Sequence, residues 1–117
     1  MSMNIEALQK ICLSFPAVTE DVKWESNLCF CVGNKIFCIA NLEPPHTFSF
    51  KVSADEYDEL SNAEGFRPAP YLARAKWVLV TESSRLSSKD LKNYLHQSYE
   101  LIKSKIPKKT RQVSGLL

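Results

Sequence analysis

Three glycines in 117 residues leave this chain without a glycine-rich loop of the kind that cradles phosphates. Two histidines, His46 and His96, are too few and too isolated to suggest a histidine-based catalytic group. Neither stands near a Ser or Cys in a recognisable nucleophile arrangement. Four cysteines are present, Cys12, Cys29, Cys31 and Cys38, but no pair has the C-x-x-C spacing of a zinc knuckle or a redox motif. Packed, reduced thiols are the favoured reading, and they fit a reducing compartment. No apolar run approaches the roughly 20 residues needed to cross a bilayer. The opening residues lack a basic stretch followed by an apolar one, so no signal peptide is expected. A cytoplasmic location with no membrane association follows as an expectation.

What is there is ordinary in bulk and uneven in placement. Apolar residues make up 44% and charged residues 24%, enough to build a core and too much to stay disordered. The length suits one domain with one core, residues 1–117. The net charge of +2 hides a division. Residues 1–65 hold four lysines (10, 23, 35 and 51) against ten acids, a net −6, whereas residues 66–117 hold eleven Lys/Arg against three acids, a net +8. At the junction lies Gly65-Phe66-Arg67-Pro68-Ala69-Pro70-Tyr71-Leu72-Ala73-Arg74-Ala75-Lys76-Trp77. A connection so rich in large and charged side chains points to a functional loop rather than a spacer.

Hydrophobic spacing sets out the elements. Ile5, Leu8, Cys12 and Phe15 recur at helical intervals, predicting a helix over 4–14, capped by Asn4 and closed by Pro16. Residues 28–32 and 35–40 read as two strands joined by Gly33-Asn34, a two-residue hairpin signal. An unbroken register pairs Val32 with Lys35, Cys31 with Ile36, Phe30 with Phe37 and Cys29 with Cys38. It places Leu28, Phe30, Val32, Phe37 and Ile39 on the core face, and Cys29, Cys31, Ile36, Cys38 and Ala40 on the other. With Cys29 and Cys38 opposed, the two thiols should touch and bridge under oxidation.

Thr47–Val52 alternates and reads as a third strand, ended by a capping box in which Ser53 and Glu56 satisfy each other's backbone donors. A two-turn helix reaches Ser61 or Asn62. A fourth strand spans Lys76–Thr81, and a last helix starts at Ser87 with Leu91, Leu95, Ser98, Ile102 and Ile106 inward, stopped by Pro107. The expected fold is α+β, a four-stranded antiparallel sheet packed against N- and C-terminal helices.

The order of these elements resembles the MmcQ/YjbR family of small bacterial proteins. The similarity rests on Val18-Thr19-Glu20-Asp21-Val22-Lys23-Trp24, on Leu28-Cys29-Phe30-Cys31-Val32-Gly33-Asn34-Lys35-Ile36-Phe37 and on Phe50-Lys51-Val52. It continues through Pro68-Ala69-Pro70-Tyr71-Leu72-Ala73-Arg74-Ala75-Lys76-Trp77-Val78 and Ser98-Tyr99-Glu100-Leu101 to Ile106-Pro107-Lys108-Lys109. The resemblance implies a CyaY-like α/β sandwich and DNA binding through winged elements. Two positions depart from it: Cys31 stands where relatives often carry a polar or basic residue, and Lys76 where they often carry an aromatic or His.

Several side chains admit two readings. Arg74 and Lys76 could meet phosphates with Tyr71 stacking on a base, or Arg74 could pair with Glu20 or Asp21. For Trp77, core packing is favoured. The run Lys103, Lys105, Lys108, Lys109 and Arg111 exceeds what a helix C-terminus needs for its dipole and suggests a partner surface. Asp55, Glu56, Asp58 and Glu59 suit the first turns of a helix, while Glu20 and Asp21 remain candidates for a site.

The expected function is a small nucleic-acid-binding protein, with DNA the partner, monomeric and not an enzyme. Its basic face would comprise Arg67, Tyr71, Arg74, Lys76, Lys105, Lys108, Lys109 and Arg111. No catalytic residue, metal or cofactor is assigned. The rivals are a module that binds an acidic protein, and a small-molecule site under the 65–77 loop walled by Phe66, Tyr71 and Trp77.

Overall fold

In the computed structural model, which describes residues 5–107, three helices pack on one face of a single antiparallel sheet. The elements run α1 (Ile5–Leu13), β1 (Val18–Lys23), β2 (Asn27–Val32), β3 (Lys35–Asn41), β4 (Phe48–Lys51), α2 (Ala54–Ser61), β5 (Phe66–Pro68), β6 (Trp77–Val80) and α3 (Ser88–Lys103). The sheet has six strands, not four, in the order β1-β2-β3-β4-β6-β5. Both strands that the hydrophobic pattern failed to show are the sheet's edges. β1 carries Glu20, Asp21 and Lys23 among its six residues, and β5 is three residues long with Pro68 at its end. Edge strands with charges, proline and short length resist pairing with other chains, and those same devices erase the alternation that marks a strand. Among the described residues no helix is long and apolar enough to cross a membrane. Asn4, the expected cap of α1, lies outside the described residues.

Cross-strand rows define the sheet's two faces. On the helix-covered face Phe30, Cys38, Phe50 and Val78 lie side by side from β2 to β6, with Leu28, Ala40, Phe48 and Val80 in the next row. All eight are buried in the core with Leu8, Cys12, Leu91, Leu95 and Tyr99 of the helices. On the opposite face a row crosses all six strands: Asp21, Cys29, Ile39, Ser49, Leu79 and Arg67.

The β2–β3 hairpin corrects the expected register. Gly33 and Asn34 both adopt left-handed backbone, φ 56° and 65°, as a tight turn of mirror-image type requires. Val32–Lys35 and Cys31–Ile36 pair as expected, and then a bulge intervenes, so that Phe30 faces Cys38 and Cys29 faces Ile39. The extra residue, Phe37, and its neighbour Cys38 both enter the core, and Ile39 moves to the other face. Cys29 and Cys38 therefore sit on opposite faces and cannot form the expected bridge. Cys38 instead meets Cys12 of α1, and burial first, then that neighbour, pushes its thiol well above the ordinary range.

The bulge also explains Ser98 in the middle of the inner stripe of α3. Its hydroxyl donates to the Phe37 carbonyl (2.6 Å) and accepts from the Lys51 backbone N–H (3.0 Å). β4 pairs with β3 only as far as Phe50–Cys38. One helix hydroxyl thus closes two backbone groups that the sheet leaves open, where an unmet buried partner would be costly. The expected stripe of Leu91, Leu95, Ser98, Ile102 and Ile106 is buried throughout. The helix itself ends at Lys103, and Ile106 lies beyond it against Gly33.

The Ser53 hydroxyl caps α2 by accepting from the Glu56 N–H (3.3 Å). The other half of the expected box is altered. The Glu56 carboxylate accepts from the Ser53 hydroxyl (3.5 Å) and from Gln97 of α3 (2.7 Å), tying α2 to α3 rather than returning to the Ser53 backbone.

Candidate functional site

The segment between β5 and β6 folds back over the sheet face turned away from the helices. Ala69 is buried there, Tyr71 projects fully into solvent, and Ala73–Ala75 form a 3-10 turn that ends at Lys76 on left-handed backbone, φ 67°. That conformation ends the turn and delays β6 until Trp77, one residue later than the alternation suggests. Trp77 is buried, as its core reading expects, at 5% exposure. The other tryptophan, Trp24, stands 67% exposed in the turn between β1 and β2.

Between these two segments lies a cavity of about 510 Å³. Its floor is the middle of the outer row, Ile39, Ser49 and Leu79, with Asn27, Asn41 and Thr47 beside it; Trp24 forms one wall and Ala69, Pro70, Tyr71 and Leu72 the other. The volume is within the ordinary range of small-ligand clefts, roughly 300–1,000 Å³. The sequence-based rival placed a pocket under this loop but named its walls differently. Only Tyr71 of its three walls lines the cavity. Phe66 lies in the row of Val80, on the helix-covered side, and Trp77 is packed in the core. The alternation of Thr47-Phe48-Ser49-Phe50-Lys51 already carried the signal for the floor, since the polar residues of that strand share one face.

The expected basic residues separate into groups. Lys76 is half-buried, with its ammonium 5.0 Å from the centre of the Tyr57 ring, a cation–π contact. Lys51, on β4, is buried and donates through Nζ to the Ala75 carbonyl. Burial first, then the adjacent Lys105 and the nearby Lys76, lower the Lys51 ammonium below its ordinary value of 10.5. Lys51, Lys76 and Lys105 therefore converge at the end of the 3-10 turn. Lys51 escaped the sequence reading because it lies in the acidic half of the chain. Arg74 lies within the same turn, exposed.

The pairing of Arg74 with Glu20 or Asp21 is not what forms. Glu20 accepts from Gln9 Nε2 (2.7 and 2.9 Å), and Asp21 pairs with Lys23 (3.7 Å). Arg67 is exposed on β5 opposite Leu79, beside the cavity floor. Arg85 is held by Glu64 (2.7 Å) and Glu82 (3.4 Å), and Lys103 by Glu100 (3.1 Å). These two positive charges are largely compensated. Lys108, Lys109 and Arg111 lie outside the described residues.

The thiols on the outer face, Cys29 and Cys31, are raised by burial first, and Cys29 also by Cys31 and Asp21. They are protonated at neutral pH and are poor nucleophiles. Among the described residues no three His, Cys, Asp or Glu side chains gather in a group able to hold a metal ion.

Comparison with known proteins agrees with this architecture. A Deinococcus radiodurans protein with a DUF419 domain has a crystal structure that superposes with a TM-score of 0.86 at 25% identity, covering 97% of this chain and 89% of that one. A Pseudomonas syringae protein superposes at 0.71 with 16% identity, covering 86% of this chain and 99% of that one, and shares the fold. No curated protein matches the chain. The YjbR family model matches residues 13–101, which span β1 to α3 and include both walls of the cavity, so the chain belongs to the YjbR family.

Proposed function

We propose that this protein is a non-catalytic nucleic-acid-binding protein of the cytoplasm, built on a CyaY-like scaffold and acting on DNA. The observation that carries the reading is the meeting of Lys51, Lys76 and Lys105 at the end of the 73–75 turn, beside the exposed Arg74. Like charges brought together inside a fold raise its energy, and an arriving polyanion would relieve that repulsion. Phosphates would contact Arg74, Lys76 and Lys105, with Arg67 on the far side of the loop. Lys51, buried and bonded to a carbonyl, would act through its field. Such binding is insensitive to sequence and steep in salt, because each neutralised phosphate releases condensed counterions.

The test is fluorescence anisotropy with labelled duplex and single-stranded DNA at two salt concentrations, on the parent and on Arg74→Glu and Lys105→Glu. Affinity should fall with salt, and each substitution should reduce the slope of log K against log salt by about one. Salt-independent binding, or charge-reversal variants that bind like the parent, would overturn the reading.

A further inference from the structure

The cavity on the outer sheet face has no place in a scheme of phosphate contacts, because no charged side chain lines it. Its chemistry is of another kind. Ser49 is only 6% exposed, and it lies on the cavity floor between Ile39 and Leu79. The Asn27 side-chain amide lies at the same floor. A cleft whose apolar lining is broken by a hydroxyl and an amide has the makeup of a small-ligand site, in which a few polar groups fix the ligand's orientation. Around them the walls are apolar or aromatic.

The rim adds a second observation. Trp24 and Tyr71 are the two most exposed large hydrophobic side chains, at 67% and 104%, and they come from opposite walls of the same cavity. Both sit on left-handed backbone, φ 51° and 66°. Bulky residues with a Cβ seldom adopt that conformation, and where they do, the surrounding structure holds them there. Two large rings exposed to water at one mouth form a ready stacking surface.

The geometry points to a binding site for a neutral, planar heteroaromatic ring, a purine base being the fitting chemistry. Trp24 and Tyr71 would cover the ring faces, and Ser49 and Asn27 would meet the polar edge. An amide and a hydroxyl can each donate and accept, which suits the mixed edge of a base. The absence of charged lining residues disfavours a ligand whose own charge must enter the cleft. The base could arrive as a free nucleoside or as an unpaired base of a single strand, and the assignment stands independently of the lysine cluster.

The experiment uses 2-aminopurine riboside, a fluorescent adenosine analogue, and a single-stranded oligonucleotide carrying one 2-aminopurine. Saturable quenching is expected, weakened about tenfold or more by Tyr71→Ala and by Trp24→Ala, since base–aromatic stacking contributes on that scale. Both substitutions are at exposed positions, so folding is not at risk. Ser49→Ala should also weaken binding, and Arg74→Glu should leave riboside binding unchanged. Quenching of both probes identifies the free base as sufficient; quenching of the strand-borne probe alone identifies a strand as the carrier. No quenching of either probe, or rim variants that bind like the parent, would overturn the site. The phosphate reading is judged separately by its salt slope, so one can fail without the other.

Discussion

The two faces of this sheet are made from the same six strands and have opposite fates. Toward the helices, alternate residues from β2 to β6 are Phe, Leu, Val, Ala and Cys, sealed beneath α1 and α3. Away from them, the row that starts at Asp21 and ends at Arg67 passes through Ile39, Ser49 and Leu79 and opens into a cavity. The two tryptophans differ in cover as well, Trp77 packed at 5% exposure and Trp24 standing out at 67%. The difference teaches that apolar character alone does not identify this protein's core. A residue contributes to stability where another element covers it, and stays open to solvent or to a ligand where nothing does.

That contrast can be broken most directly at the two tryptophans. Trp77→Ala should lose about 3–5 kcal/mol of stability, as truncation of a buried aromatic typically does. Urea denaturation measures it, and a variant that unfolds at the parent's midpoint would show that Trp77 does not support the core.

Next in size is Ser98→Ala. It removes a side chain of little bulk but leaves the Phe37 carbonyl and the Lys51 N–H unmet in the interior. With each unsatisfied group costing about 1–3 kcal/mol, a loss of at least 2 kcal/mol is expected in the same assay. Replacement by Thr, which keeps the hydroxyl, should recover part of it.

Gly33→Ala tests the hairpin. The turn holds φ at 56°, and an added Cβ would lie 2.5 Å from Ile106 Cδ1. The side-chain end can shift, so the left-handed strain dominates, and a loss of about 1–2 kcal/mol is expected from thermal melting.

Smaller still is the effect of pH through Lys51. Its pKa is lowered on folding by burial and by its neighbouring lysines, so the folded state holds this proton less tightly than the unfolded state does. Between the lowered value and 10.5 the unfolded chain binds more protons, and stability contributed by this group rises with pH. Measured against Lys51→Met, the parent should gain relative stability as pH rises from neutrality toward 10.5. A flat difference would show that Lys51 is solvated.

The smallest expected effect is that of Trp24→Ala and Tyr71→Ala on stability, within about 0.5 kcal/mol, the usual range for exposed positions. A large loss at either would move that side chain from the cavity rim into the fold's support.

Local chemistry alone determined much of this molecule. The spacing of Leu91, Leu95, Ser98 and Ile102 marked the buried side of α3, Ser53 and Ser87 marked two helix starts, and Gly33-Asn34 marked the turn, because caps, turns and helical stripes depend on residues a few positions apart. The alternation of Thr47 to Lys51 likewise separated its own two faces. The tertiary structure decided the rest. Whether Phe37 is counted into the ladder or bulges from it depends on what lies beneath, and packing against Phe15 and Tyr99, with Ser98 capturing the freed carbonyl, settles it. That single slip separates Cys29 from Cys38 and turns Ile39 to the cavity. The edges β1 and β5 were unreadable because each is paired on one side only and carries the charges and proline that keep it so. The cavity and the lysine cluster join residues from distant parts of the chain, and no spacing in a sequence records a distance that folding alone creates.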